Sequence, residues 1–157
     1  MPSLYPDYDG AVYKYATDTW ANIRGANGGT LNTASATFAM RNLHTAGRGA
    51  DTYNIGRYFF EFDTSGISVA PASATLKIYG FSGTTLDVIA VRSEHSATLA
   101  VGDFDALYGA ATAFTHTDGS GSGTLAGVSG LTYSAEVSTW STSGYNSISL
   151  NGQARSD

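Results

Sequence analysis

Residues 57–63 read RYFFEFD, and this stretch decides the fold class. Tyr58, Phe60 and Phe62 fall on one face of an extended chain, and Phe59 shares the other with Arg57, Glu61 and Asp63. An alternation of period two, rich in aromatic residues, specifies a strand. The run stops at Asp63-Thr64-Ser65-Gly66, where the Asp and Ser side chains can bond neighbouring amides and close a turn. Pro71 then precedes a second alternating run at 74–81, with Leu76 and Ile78 set against Lys77 and Tyr79. Residues 86–92 are nearly continuous in apolar side chains and read as a central strand.

The same grammar continues in both directions. Upstream, residues 36–42 alternate with Phe38 and Met40 on one face, and a polar loop follows from 44 to 54. The first 35 residues read as an irregular segment with one short strand at 11–16 and a tight turn at Asn27-Gly28-Gly29. Downstream, VGDFDALYG (101–109) is the one short helical patch, and DGSGSG (118–123) is a loop. Strands at 132–139 and 145–150 close the chain. Seven or eight short strands separated by turn signals predict an all-β fold, an antiparallel β-sandwich of jelly-roll type. The expected organisation is a single domain, with residues 1–35 as its N-terminal segment and 36–157 as the sandwich.

Composition agrees. The 157 residues include 19 glycines and ten tyrosines, and only 13% are charged, against about 25% in an average domain. A chain of this size buries roughly 70% of its unfolded surface, so it needs no covalent staple. There is no cysteine, which excludes disulfides, thiolate metal sites and cysteine nucleophiles. Net charge is −5, and the eight basic residues (Lys14, Arg24, Arg41, Arg48, Arg57, Lys77, Arg92 and Arg155) are spread singly. Phosphate-backbone binding needs a clustered basic patch, so nucleic acid is not an expected partner. No apolar run reaches the ~18 residues of a membrane span, and residues 1–10 carry no secretory pattern. The expectation is a protein made in the cytosol without a signal peptide and soluble there.

The segment RYFFEFDTSGISVAPASATLKIYG (57–80) resembles the DNRLRE-type jelly-roll modules, in which an aromatic strand ending in Phe-Asp-x-Ser-x-Ile precedes an Ala-Thr-Leu-x-Leu-Tyr strand. The version found in phage and prophage virion proteins is the most similar. It places a TWANIR-like segment (19–24) before the aromatic strand, a DFDALYG-like segment (103–109) after the central strands, and a YNSISLN-like strand (145–151) late. Such modules also occur in carbohydrate-binding domains of secreted bacterial enzymes. Relatives of this kind continue past the last matched strand, whereas this sequence stops soon after Leu150. Three expectations stay open: the sequence is cut short, the sandwich is smaller, or a neighbouring subunit supplies the missing strand to the sheet edge.

Candidate sites are few. His44, His95 and His116 each fall in or beside expected loops, with no metal-ligand spacing among them. Asp7 and Asp9 form one Asp-x-Asp pair; calcium wants six to eight oxygens, so a turn is their default role and an ion the alternative. Asp103 and Asp105 form the other, with Asp103 expected to cap the helical patch. Glycoside hydrolysis needs two carboxyl groups across a cleft. Glu61, Glu94 and Glu136 are the only glutamates, and Glu61 is expected to pair with a neighbouring cation. No nucleophile elbow is present. The chain therefore reads as non-catalytic, with no cofactor and no metal. Trp20, Tyr53, Tyr108 and Trp140 are the candidate glycan or partner contacts, because an aromatic face can stack on a sugar ring; the competing role is packing in the core.

The resemblance implies a virion or fibre structural protein, a decoration or self-assembling subunit of a phage head or tail that touches a host surface. Its partners would be other copies of itself or other virion proteins, with a surface glycan as a further contact and a homo-oligomer as the working form. Its location would be the virion or another extracellular assembly. The alternative is a carbohydrate-binding module of a larger secreted protein.

Overall fold

In a computed structural model, residues 3–24, 28–35, 37–83, 87–95, 98–106 and 132–157 are described. Tyr108, His116 and the 118–123 loop lie outside them. Six strands are seen among these residues: β1 (Tyr8–Thr17), β2 (Thr30–Asn32), β3 (Asn42–Thr45), β4 (Thr52–Glu61), β5 (Ala74–Tyr79) and β6 (Tyr145–Leu150). Two single-turn helices, α1 (Trp20–Arg24) and α2 (Gly152–Ser156), and a 3₁₀ turn at Val101–Asp105 are the only helical elements described. Every strand pairing is antiparallel. The fold is all-β and antiparallel, as its sequence pattern dictates.

The chain forms two compact units, each assembled from two separate stretches: Met1–Gly66 with Ser93–Gly127, and Ile67–Arg92 with Val128–Asp157. The first holds a four-stranded sheet in the order β2-β1-β4-β3. Its spine is the β1–β4 ladder, in register from Tyr8↔Glu61 to Thr17↔Thr52. The expected irregular segment 1–35 therefore contributes a central strand. Tyr13 and Tyr15 on one side and Val12, Lys14 and Ala16 on the other give residues 10–17 a period of two, and Gly10 leaves room for Leu99, whose Cδ2 a Cβ there would meet at 2.6 Å.

One face of this sheet is covered. Val12, Ile55 and Phe59 pack with Ile23 of α1, Leu99 and Phe104, all buried. α1 starts where Thr19 caps it: the Thr19 hydroxyl accepts from the Asn22 N–H at 3.3 Å, and Asp18 accepts from the Asn22 side chain at 2.9 Å. The buried face of β4 is thus the one shared by Phe59, Arg57 and Glu61, while Tyr58, Phe60 and Phe62 are only half-buried on the other. The residues that set this orientation precede the RYFFEFD run: Ile55 extends the Phe59 face, and Asn54 and Gly56 extend the Tyr58 face. Arg57 is tolerated on the buried face because its guanidinium stacks on the Phe104 ring at 4.1 Å, donates to the Phe104 carbonyl and lies 3.4 Å from Asp105. Glu61, expected to pair with a cation, is exposed and makes no ion pair among the described residues.

Three expected strands, 36–42, 86–92 and 132–139, are absent as such among the described residues. Residues 37–41 are not a strand, although the Arg41 carbonyl accepts from the Gly56 N–H of β4 at 2.8 Å, and the Phe38 ring meets Tyr58 edge-on at 6.0 Å. Residues 87–92 and 132–139 make isolated bridges rather than strands, Val88↔Val137 and Val91↔Thr132. Between these bridges one chain advances three residues and the other five, so the ladder cannot stay in register. The Ser134 hydroxyl fills the break by accepting from the Ala90 N–H at 3.0 Å.

In the second unit β5 and β6 pair from Ala74↔Leu150 to Tyr79↔Tyr145. Their turn region is organised by the buried Asn146. It accepts from the Ser141 N–H at 2.7 Å and donates to the Ser141 carbonyl at 2.9 Å. α2 follows directly, capped by Asn151, whose side chain accepts from the Ala154 N–H at 3.1 Å.

Candidate functional site

The second face of the four-stranded sheet carries the most developed surface. Period two places Tyr13, Tyr15 and Thr17 of β1, Thr52, Asn54, Gly56 and Tyr58 of β4, and Leu43 and Thr45 of β3 on this side. The registers Tyr15↔Asn54↔Leu43 and Thr17↔Thr52↔Thr45 line them up in rows across three strands. Arg41 stands in the next row, its backbone carbonyl bonded to the Gly56 N–H at 2.8 Å and its guanidinium over the Tyr13 ring at 5.4 Å. Tyr13 in turn meets Tyr58 edge-on at 6.2 Å, and the Tyr58 hydroxyl donates to the Ala39 carbonyl. Burial pushes the Tyr58 phenol well above its ordinary pKa, with the bond to Tyr13 adding to the shift.

A half-open cavity of about 180 Å³ opens in this face, lined by Tyr15, Leu43, Thr45, Thr52 and Asn54. None of these side chains is charged. The Thr17 and Thr52 hydroxyls share a hydrogen bond of 2.8 Å at its rim. Asn54 supplies the floor, and its Oδ1 is buried with no hydrogen-bond donor. Tyr15 is 73% exposed and Leu43 59%, so the walls are wet and adjustable.

A different row lies at the end of the covered face. Trp20 packs against Tyr53 with ring centroids 5.5 Å apart, and Tyr53 stacks on His44 at 4.9 Å. His44 Nε2 donates to Asp51 Oδ2 at 2.8 Å, and the Gly47 N–H donates to Asp51 Oδ1 at 3.1 Å. These bonds, His44 foremost, hold the Asp51 carboxyl below its usual pKa. Desolvation, then the Asp51 charge, raises the Tyr53 phenol.

Of the aromatic contacts expected from the sequence, Trp20 and Tyr53 are thus brought together, and both rest against the core. Trp140 is a correction: it is only 6% exposed, a buried residue of the second unit, so its indole face is not open to a sugar ring. Tyr108 lies outside the described residues. His44 belongs to a strand rather than a loop, and His95 tilts against Phe59 at 5.2 Å while sharing a 3.0 Å hydrogen bond with Ser93. Asp7 accepts from the Asp63 N–H at 2.6 Å, tying the ends of β1 and β4. Asp103 sits inside the 3₁₀ turn and reaches back to the Ala100 N–H at 2.7 Å, where the sequence suggested it would precede the turn. Glu61, Glu94 and Glu136 are all exposed. Among the described residues, no three His, Asp or Glu side chains gather to hold a metal, and no helix is long and apolar enough to cross a membrane.

The second unit offers a separate surface. Tyr79 and Tyr145, directly opposed in the ladder, meet edge-on at 5.1 Å and are 55% and 71% exposed; Phe81 beyond them is 75% exposed. Among the described residues β5 pairs only with β6, and no strand is described on its other edge. The sequence reading missed the Tyr15–Asn54–Leu43 row. The alternation Tyr13-x-Tyr15 against Thr52-x-Asn54-x-Gly56 was its signal, and it becomes visible only once β1 and β4 are known to pair. Comparison with known proteins adds nothing to this geometry: no family model, curated protein or solved structure matches the chain.

Proposed function

We propose that the chain is a non-catalytic, self-assembling subunit of a virion or fibre. The observation that carries this reading is the exposed aromatic group Tyr79, Phe81 and Tyr145 beside β5, which pairs only with β6 among the described residues. Exposed edges recruit strands, and clustered exposed aromatics mark association surfaces. A two-fold antiparallel pairing of β5 with a second copy, centred on Leu76, sets Ala74 opposite the second copy's Ile78 and Thr75 opposite its Lys77. Apolar residues then continue on one face and polar residues on the other. Centring on Lys77 would oppose two ammonium groups, which disfavours that register. The resemblance to phage-type modules supports the same class of role.

The test is native mass by light scattering over a wide concentration range. A concentration-resistant oligomer that dissociates on Phe81→Ser with Tyr145→Ser is the expected result. A monomer at every concentration overturns the reading.

A second reading, a carbohydrate-binding module, is favoured by the uncharged, hydroxyl- and aromatic-lined cavity on the four-stranded sheet. Binding to a glycan array by a monomeric chain would place it first.

A further inference from the structure

We infer that the cavity formed by Tyr15, Leu43, Thr45, Thr52 and Asn54 is a subsite for one neutral pyranose ring. This rests on the carbohydrate-binding reading and assigns it a location away from the aromatic row at Trp20 and Tyr53.

Three properties select the ligand. The first is charge: every lining side chain is neutral. The charged neighbours are already engaged, Arg41 over the Tyr13 ring and Asp51 with His44 and Gly47. An anionic sugar or a phosphate would find no cation in the lining. The second is the mixture of surfaces. Tyr15 and Leu43 present apolar walls that can cover the C–H face of a sugar, while two threonine hydroxyls and an amide provide directional partners for its hydroxyls. The third is the buried Asn54 Oδ1, an acceptor without a donor. An unsatisfied buried polar atom is unfavourable, and a purely apolar ligand would leave it so. A ligand hydroxyl that donates to it, admitted by a small rotation of the exposed Tyr15 or Leu43 side chain, satisfies it. The volume of about 180 Å³ suits one ring, and the open side lets a longer glycan continue into solvent.

The experiment is a backbone amide NMR titration of the full chain with methyl β-D-glucopyranoside, methyl β-D-galactopyranoside and N-acetylglucosamine. Expected is a saturable response centred on residues 15, 43, 45, 52 and 54 with at least one of the three. Asn54→Leu should weaken that binding at least tenfold without lowering the melting temperature, because it deletes an orphaned acceptor. Unchanged binding in N54L overturns the site. A response centred on Trp20 and Tyr53 also overturns the site but leaves the carbohydrate reading standing. Silence with all three sugars overturns both.

Discussion

The ring of Tyr13 lies across Gly56 on the neighbouring strand, so close that a Cβ at position 56 would sit 2.9 Å from Tyr13 Cε1 and 3.0 Å from the Tyr58 hydroxyl. Glycine is needed here for the space its missing side chain leaves. The two tyrosines and Arg41 then build the aromatic end of the exposed sheet face over that gap.

Gly56→Ala should therefore destabilise the protein by about 1–3 kcal/mol, the usual range for inserting an atom into a packed site. Urea denaturation measures it. In a Tyr13→Ala background the same substitution should lose much of its effect, because the atom it strikes is gone; additive losses would show that the clash lies elsewhere.

Asn146 is buried and bonds both the N–H and the carbonyl of Ser141. Asn146→Ala leaves those groups unsatisfied in the second unit, and a loss of about 3 kcal/mol is expected. Asn146→Asp should retain the acceptor side of the pattern but not the donor side. Its melting temperature should fall between those of the wild type and the alanine variant.

Asp51 shows how acid should act. Its carboxyl titrates below the ordinary value of 3.8 when folded, chiefly through His44 and then through the Gly47 amide. A depressed folded value means the stabilisation is present above the unfolded pKa and is lost as pH falls through the folded one. Asp51→Asn should flatten the decline in stability below about pH 4. It should also release the His44 ring from Tyr53, visible as a loss of the ring-current shift of the His44 ring protons by NMR.

Tyr133 works in the opposite direction. Burial, then its bond to Asp157 at 2.8 Å, raises its phenol to about 12. Its contribution is complete below the unfolded value near 10 and disappears as pH rises through the folded value. Absorbance of tyrosinate during alkaline titration should show a late-ionising group of phenols that includes Tyr53 and Tyr58 and is smaller by one in Tyr133→Phe. Asp157→Asn should bring the Tyr133 phenol back toward the bulk of the tyrosines.

How much of this was legible in the sequence follows from what each residue does. The all-β class was legible because RYFFEFD and ATLKIY alternate strongly and turn residues separate them. The orientation of β4 was not. Read from residues 57–63 alone, three aromatics outweigh one, yet Ile55 and the pairing with Val12 and Phe104 bury the Phe59 side. β1 was underestimated because only Val12 in it is β-branched and aliphatic, and its length comes from ten paired partners on β4. The strand at 86–92 was overestimated, since a slip in register between two segments leaves no local trace. The cavity needed three strands in known register, so residue types alone could not reveal it. Trp140 illustrates the same limit, for an indole reads identically whether it covers a sugar or fills a core.

The interleaving of the two units has a consequence for synthesis. Tyr79 ends β5 and Tyr145 begins its partner β6, 66 residues later in the sequence. At translation rates of roughly 5–20 residues per second, β5 waits some 3–13 s after emerging before β6 exists. During that interval Leu76 and Ile78 have no sheet to join, and the strand is available to any other nascent copy nearby. Crowding of ribosomes on the message and the supply of holdase chaperones would then set the yield of soluble chain more than the stability of the finished fold does.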